Sequence, residues 1–364
     1  MDFRAHTRTR RAGLLLSIVA ATLALACAYA AARAQSGRQI QPTRQQTPTP
    51  TPAISPTPTP APDEEVERIE SDVTNVLLTA TDEKRRFVTT LTADDVRLLE
   101  DGVPQQITYF QRETETPLSL VLLVDTSASQ EMVMADEREA ATSFVRSVLR
   151  PGKDTASVLS FTGITRIDRP PTGDAPLLLS AIDKLKVEYT RANPVCQDND
   201  APPEETLRCR TAVFDSVAVS VREVLSKTPE TTRRAIILLS DGDDTISKLR
   251  LYQAIEYAVR ANTVVYSIGI RDEKFPDGEM RKDFLRSISE LTGGRAFFPR
   301  NARDLAASFS QIEQELRSQY LISYTSTNRN RDGSYRAVQL EIANPQLRKQ
   351  KLRLFYRQGY YARQ

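Results

Sequence analysis

Five oxygen-bearing side chains lie at the ends of strand-like or helix-like segments, and together they have the chemistry of a divalent-cation site. Asp125, Ser127 and Ser129 occupy alternate positions of one turning loop directly after an apolar run. Asp241 follows a second apolar run, and Thr211 stands just before a segment of helical periodicity. Carboxylate and hydroxyl oxygens are the ligands that hard cations prefer. The pattern predicts a metal site on three loops, although helix caps and turns explain any one loop taken alone.

Apolar runs of strand length alternate with helix-period segments between residues 117 and 319, and these elements must position the five side chains. The strand candidates are 118–124, 156–161, 235–239 and 264–268. Apolar residues three and four positions apart indicate helices near residues 141, 214 and 251. The alternation predicts an α/β fold with a doubly wound, mostly parallel sheet covered on both faces. Because ligands collect beyond the carboxyl ends of such strands, we expect the three loops to meet there.

Short alternating runs on either side of this unit predict small all-β segments over residues 66–116 and 320–364. The clearest local pattern is a hairpin over residues 96–110, with Asp101 and Gly102 at its tip and Ile107 and Tyr109 on its return strand. The two segments either pair with each other in one sheet or form separate units. A β unit of this size is marginal alone, so we expect it to be docked on another part of the protein or on a partner.

The five oxygen-bearing residues resemble the metal-ion-dependent adhesion site of the von Willebrand factor A (VWA) domain family. That site has the pattern Asp-x-Ser-x-Ser, a distant Thr, and an Asp after an apolar strand, and this sequence matches it at Asp125, Ser127, Ser129, Thr211 and Asp241. The resemblance covers residues 117–319. It implies a Rossmann-like fold with Mg²⁺ at the top of the sheet, bound directly by the hydroxyls and largely through water by the carboxylates. Mn²⁺ and Ca²⁺ are the alternative ions.

The whole layout more narrowly resembles the exported VWA-related proteins of Acidobacteria. The residues that carry this resemblance lie at 91–96, 100–102, 106–107, 110 and 320–324, together with the adhesion-site pattern. That group has no settled function, so the resemblance implies an architecture and little mechanism. A departure is the insertion between Cys196 and Cys209, which ends directly before Thr211.

A site of this kind predicts a non-enzymatic, metal-dependent protein-binding module. Two carboxylates leave a bound Mg²⁺ near neutral, and an acidic residue of a partner protein can take the position that water normally holds. One alternative is a structural envelope component whose metal site is idle. Another is a Mg²⁺-dependent phosphohydrolase, but such an enzyme needs a second carboxylate two residues after Asp125, and Ser127 stands there.

The composition excludes several other functions. Lys and Arg number 49 against 47 Asp and Glu, and a net charge of +2 supplies no field for nucleic acid. The single histidine, His6, lies in the predicted leader. We therefore expect no Ser-His-Asp or Cys-His catalysis and no His-ligated metal.

The N-terminal region predicts export. Arginines followed by a long apolar stretch indicate a signal peptide over residues 1–34, or a lipid or helical anchor if that segment is not cleaved. Residues 35–65 form a Pro, Thr and Gln-rich linker. We expect a bacterial protein of the periplasm, the cell surface or the medium, with membrane contact only through such an anchor. Cys196 and Cys209 then predict a disulfide, with two free thiols as the alternative.

Overall fold

The computed structural model describes residues 73–189, 194–198, 202–271 and 279–364. The predicted leader and linker lie outside these residues. All described residues belong to one unit, Arg68–Gln364. Within the described ranges, we find no helix with the length and apolar character needed to span a bilayer.

Strands and helices alternate along the middle of the described chain, with strands alone at both ends. The strands are β1 Val73–Thr81, β2 Val96–Glu100, β3 Val103–Gln105, β4 Ile107–Arg112, β5 Leu118–Asp125, β6 Thr155–Phe161, β7 Thr165–Thr172, β8 Arg233–Ser240, β9 Thr263–Gly269, β10 Ala296–Phe297, β11 Tyr320–Thr325, β12 Tyr335–Ile342, β13 Arg353–Tyr356 and β14 Gly359–Tyr361. The α-helices are α1 Met134–Val148, α2 Ala175–Asp183, α3 Pro203–Arg208, α4 Val213–Val219, α5 Leu251–Arg260, α6 Lys282–Thr292, α7 Ala302–Leu316 and α8 Pro345–Arg348.

A six-stranded sheet forms the centre of the α/β domain, in the order β10-β9-β8-β5-β6-β7. All neighbouring pairs are parallel except β6 and β7, which are antiparallel. The four strands expected from the apolar runs are the four in the middle of this sheet. The predicted doubly wound, mostly parallel α/β fold is therefore confirmed.

Helices cover both faces of the sheet because its strands are apolar on both sides. Alternate residues of β5 belong to opposite core clusters, with Leu120 and Leu122 in one and Val121 and Leu123 in the other. All eight residues of β5 are buried. Since successive side chains of a strand point to opposite faces, a continuous apolar run is what a strand covered on two faces requires.

The antiparallel edge strand β7 was not predicted from the sequence. It contains Pro170 and Pro171, and proline removes a donor from the hydrogen-bond ladder, so its sequence argues against a strand. The structure resolves this conflict by a shift in the pairing with β6 between Ala156 and Val158, where the prolines lie. An edge position and a bulge are the places where a sheet tolerates proline.

The two ends of the described chain form two antiparallel four-stranded sheets, ordered β13-β1-β11-β4 and β14-β12-β2-β3. Strand β1 pairs with β11, and β2 pairs with β12, so each sheet combines strands from before and after the α/β domain. Residues of both sheets share one buried core.

The hairpin prediction was right at its turn and wrong in its second half. Asp101 and Gly102 have φ angles of 48° and 80°, as a tight turn demands. The return strand is the short β3, however, whereas β4, with Ile107 and Tyr109, pairs with β11 in the other sheet. Alternation along a strand identifies its faces but not its partner.

Two glycines at the end of α6 allow close backbone contacts, one with the segment between β13 and β14 and one with β9. Gly293 has a φ of 92°, and its amide and that of Gly294 close the helix on the carbonyls of Glu290 and Ser289. A Cβ on Gly293 would lie 2.6 Å from the amide nitrogen of Arg357, and one on Gly294 would lie 2.1 Å from the carbonyl oxygen of Val265. Only glycine fits this close approach.

Candidate functional site

The predicted site residues gather where the direction of the strand connections reverses. Asp125 is the last residue of β5, and Asp241 directly follows β8, which pairs with β5 in parallel. From β5 the chain crosses to β6 on one side, whereas from β8 it crosses to β9 on the other side. Such a switch point opens a crevice beyond the carboxyl ends of the two strands, and this crevice holds both carboxylates.

Hydrogen bonds join four of the five predicted residues. The Asp125 carboxylate accepts from the Ser127 amide at 2.9 Å and from the Ser240 hydroxyl at 2.7 Å. The hydroxyls of Ser127 and Ser129 lie 3.2 Å apart. A side-chain interaction with Ser129 also counters the rise in the pKa of Asp241. The first and third loops thus form one polar cluster.

Thr211 lies on the second loop, which is tied to its neighbours through the backbone. Its amide donates to the Thr245 hydroxyl at 2.8 Å, and its carbonyl accepts from the Thr245 amide at 2.8 Å. The next amide, of Ala212, donates to the carbonyl of Thr162 just after β6. The described residues contain no hydrogen bond between the Thr211 hydroxyl and the other four side chains. The structure therefore places Thr211 at the same edge of the sheet without joining it to the cluster.

Burial and mutual repulsion make the two carboxylates hard to ionise together. Asp125 is 0% exposed and Asp241 is 4% exposed. Burial, followed by the charge of Asp241, raises the pKa of Asp125 to about 7. Burial also raises the pKa of Asp241, although the positive charge of Arg271 partly opposes this rise. A divalent cation removes this electrostatic penalty.

The residues present fit a hard cation that retains water. In the part of the chain that the structure describes, no cluster of three or more His, Cys, Asp or Glu side chains has metal-binding geometry. The predicted donor set instead combines two carboxylates with hydroxyls, and oxygen-only donors with few charges suit Mg²⁺. The side-chain carbonyl of Gln130, next to Ser129, is buried without a hydrogen-bond donor. A hydrated ion supplies such donors.

Sequence reasoning missed Ser240 and Glu137, and each had a detectable signal. Ser240 is the last residue of an otherwise apolar buried strand, and it fixes the Asp125 carboxylate. Glu137 is 1% exposed on α1. It occupies a position of the apolar stripe that includes Met134, Ala141 and Phe144, so helical periodicity alone predicts that a charged residue there is buried.

The predicted disulfide between Cys196 and Cys209 is present, with their Cα atoms 5.5 Å apart. The segment before Cys209 contacts the loop after β6, because the Gly163 amide donates to the Leu207 carbonyl at 3.0 Å. A Cβ on Gly163 would lie 2.2 Å from that carbonyl oxygen. The disulfide-bonded insertion therefore lies beside the loop that leads to Thr211.

Replacement of both cysteines by serine is expected to lower the free energy of unfolding by about 3 kcal/mol, because the disulfide restricts the unfolded chain across its loop. Urea denaturation of oxidised protein measures this loss. Dithiothreitol should reduce the stability of the natural chain to that of the double variant and leave the variant unchanged. Equal stability of the oxidised protein and the variant would contradict the prediction.

The strand order and the polar crevice define a doubly wound, Rossmann-like α/β domain with an oxygen-rich site at its switch point. No protein-family model and no curated protein matches the chain. Similar folds occur among solved structures. A von Willebrand factor type A protein from Catenulispora acidiphila is 15% identical, with a TM-score of 0.45, and the match covers 76% of this chain and 71% of that one.

Two other solved structures show the same level of likeness. An aerotolerance-related membrane protein from Bacteroides fragilis is 15% identical, with a TM-score of 0.41, over 55% of this chain and 98% of that one. Proximal thread matrix protein 1 from the mussel byssus, solved with a zinc-occupied adhesion-site motif, is 13% identical, with a TM-score of 0.45, over 60% of this chain and 49% of that one. These likenesses concern the fold alone.

Proposed function

We propose that this chain is an exported, non-enzymatic VWA-type module that binds Mg²⁺ and captures an acidic residue of a partner protein. The observation that carries the proposal is the convergence of two buried carboxylates, Asp125 and Asp241, with the hydroxyls of Ser127 and Ser129 at one crevice. Burial and mutual repulsion oppose ionisation of both carboxylates, and a bound cation offsets that cost. The match of all five residues to the adhesion-site pattern supports the same conclusion.

The residues of the site differ in how deeply they are buried. Asp125 is completely buried and held by Ser240, whereas Ser127, Ser129 and Thr211 are each 8% exposed. The more deeply buried carboxylates thus supply the negative charge, and the hydroxyls lie nearer to the solvent. A divalent ion held by these residues supplies an electrophilic position that a carboxylate from another protein can occupy. The surrounding loops then determine which partner fits.

The proposed location is the bacterial periplasm, the cell surface or the medium. The disulfide supports this proposal because such bonds persist in oxidising compartments and are rare in the cytosol. A signal-peptide-like N-terminal region supports it independently.

Capture of partners under Mg²⁺ tests this function. The immobilised mature protein is exposed to an envelope extract, washed in Mg²⁺ and eluted with EDTA. We expect proteins in the EDTA eluate from the natural chain and none from the Thr211→Val variant, which removes one hydroxyl without changing side-chain shape. Thr231→Val is the matched control, because Thr231 is exposed just before β8, at the opposite end of that strand.

Each alternative function predicts a different outcome of the same experiment. A structural component with an idle site binds Mg²⁺ but releases nothing on chelation. A phosphohydrolase turns over a generic phosphate ester in Mg²⁺. Retention of the same proteins in Mg²⁺ and in EDTA would contradict the proposed metal-dependent capture.

A further inference from the structure

Glu137 is a buried carboxylate that the five-residue pattern does not include. It lies in the first turn of α1 and is 1% exposed. Neither of its carboxylate oxygens has a hydrogen-bond partner among the described residues. Buried carboxyl groups are normally paired or hydrogen-bonded, because an unpaired one loses its hydration without compensation. Glu137 therefore lacks a partner that the folded protein needs.

A second buried glutamate, in contrast, has hydrogen-bond donors for its carboxylate. Glu315, in α7, is 0% exposed. It accepts from the Arg295 guanidinium at 3.3 Å and from the Tyr266 hydroxyl at 3.2 Å. The fold thus provides partners for one buried glutamate and none for the other.

The backbone joins the first turn of α1 to the site loop, because the Glu137 amide donates to the Val133 carbonyl at 3.0 Å and the Val133 amide donates to the Gln130 carbonyl at 3.1 Å. After burial itself, the charges of Asp125 and Asp241 are the next causes that raise the pKa of Glu137, so its carboxyl group lies within electrostatic reach of both. Gln130 provides a third orphaned acceptor in the same region. Its side-chain nitrogen donates to the Ser129 hydroxyl at 3.1 Å, while its side-chain oxygen has no donor.

Three buried acceptor atoms without donors, two on Glu137 and one on Gln130, require positive charge and hydrogen-bond donors together. A hydrated divalent cation provides both, because Mg²⁺ usually keeps several of its water molecules in protein sites. A structural carboxyl group would instead show a fixed donor from the protein, as Glu315 does.

We propose that Glu137 is an outer carboxylate of the metal centre, which does not ligate the ion but accepts hydrogen bonds from its water molecules and so positions it. This inference rests on the proposed function, since it requires that the site binds metal. It adds one negative charge to those of Asp125 and Asp241, so the occupied centre carries a net charge near −1 instead of zero. Glu137 therefore favours retention of the metal and weakens the attraction for an acidic ligand.

The test compares metal affinity and metal-free stability of Glu137→Gln in the full-length mature protein. Outer carboxylates of metal sites typically change affinity by about 10- to 100-fold, and we expect the Mg²⁺ dissociation constant, measured by calorimetry, to rise within that range. In EDTA at pH 8 the urea midpoint of the variant should rise, because the folded natural chain must keep this carboxyl group in a buried place without a hydrogen-bond partner. A merely structural glutamate would not produce these opposite changes.

Two controls separate the metal role from general effects of charge. Glu315→Gln removes an equally buried carboxylate and should lower the urea midpoint in EDTA without changing Mg²⁺ affinity, because Arg295 loses its partner. Asp136→Ala removes the neighbouring exposed carboxylate and should change the Mg²⁺ dissociation constant less than twofold. If Glu137→Gln fails to fold, Glu137→Met, which fills the same space without polar atoms, replaces it.

The outcomes distinguish this inference from the proposed function. If the natural chain binds Mg²⁺ and Glu137→Gln binds it equally well, the role of Glu137 is wrong and the function stands. A lower urea midpoint of Glu137→Gln in EDTA would also overturn the role, because the carboxylate would then have a structural partner. If the natural chain binds neither Mg²⁺ nor Mn²⁺, the proposed function and this inference both fail.

Discussion

Asp125→Asn is expected to weaken Mg²⁺ binding by about 10- to 100-fold, since it removes one of the two negative charges that offset the ion. The amide is isosteric with the carboxylate, so its oxygen can still accept from the Ser127 amide and its nitrogen can donate to the Ser240 hydroxyl. The loss therefore reports charge and coordination, not collapse of the loop. Isothermal titration calorimetry with Mg²⁺ and Mn²⁺ measures it.

The same variant should have the opposite effect on the metal-free protein. Burial beside Asp241 raises the pKa of Asp125 from 3.8 to about 7, so between these pH values the folded chain holds a proton that the unfolded chain has released. Stability in EDTA then falls as the pH rises across this window, by about 4 kcal/mol in total. Asp125→Asn removes this contribution and should be more stable than the natural chain in EDTA at pH 8.

The exposed carboxylate of Asp136 again provides the control, because Asp136→Asn should change neither Mg²⁺ affinity nor the pH profile. The prediction for Asp125 would be contradicted if Asp125→Asn bound Mg²⁺ within tenfold of the natural affinity. A pH profile in EDTA that is identical for the two proteins would show that the Asp125 carboxyl is not the group that titrates.

Gly294→Ala should be among the most destabilising single substitutions, with a loss of about 3 kcal/mol or more, because an added methyl group cannot be accommodated. Its Cβ would lie 2.1 Å from the Val265 carbonyl oxygen, and Val265 belongs to the fully buried strand β9. A main-chain atom in the middle of a sheet cannot rotate away as a side chain does. The urea midpoint at saturating Mg²⁺ measures the effect.

Gly152→Ala separates steric overlap from backbone strain. Gly152 has a φ of 71°, but nothing lies within 4 Å of the position that its Cβ would occupy. Its substitution should therefore cost only the strain of a left-handed residue, about 1 kcal/mol. A loss for Gly294→Ala no larger than that for Gly152→Ala would show that β9 and the end of α6 can move apart.

The central strands of the α/β domain could be predicted because their burial on both faces is visible in the local sequence. A strand covered on both faces must be apolar throughout, and β5 and β8 are recognisable for that reason. Asp125 directly ends one such run and Asp241 follows the other, so their proximity followed from the rule that parallel strands end at one edge. The sequence therefore predicted which loops meet.

The remaining features depend on contacts that no local pattern encodes. Strand β7 contains two prolines, and it can pair with β6 because it lies at the edge of the sheet and the pairing shifts where the prolines lie. The partner of β4 is β11, which lies beyond the whole α/β domain in the sequence. The periodicity of α1 predicts that Glu137 is buried, but not that the charges of Asp125 and Asp241 raise its pKa, because those two residues lie on other parts of the chain.

The pairing of the two chain ends has a consequence for the order of assembly. Strand β1 pairs only with β11 and β13 in the described chain, and Ser323 reaches Asn75 across a sequence separation of 248 residues. At the entrance and exit of the α/β domain, the Glu113 amide donates to the Gln319 carbonyl at 2.8 Å. Folding of the α/β domain thus brings the two ends together and removes most of the entropic barrier to their pairing. A chain that emerges N-terminus first presents β1 and β4 as open edges until residues 320–364 arrive.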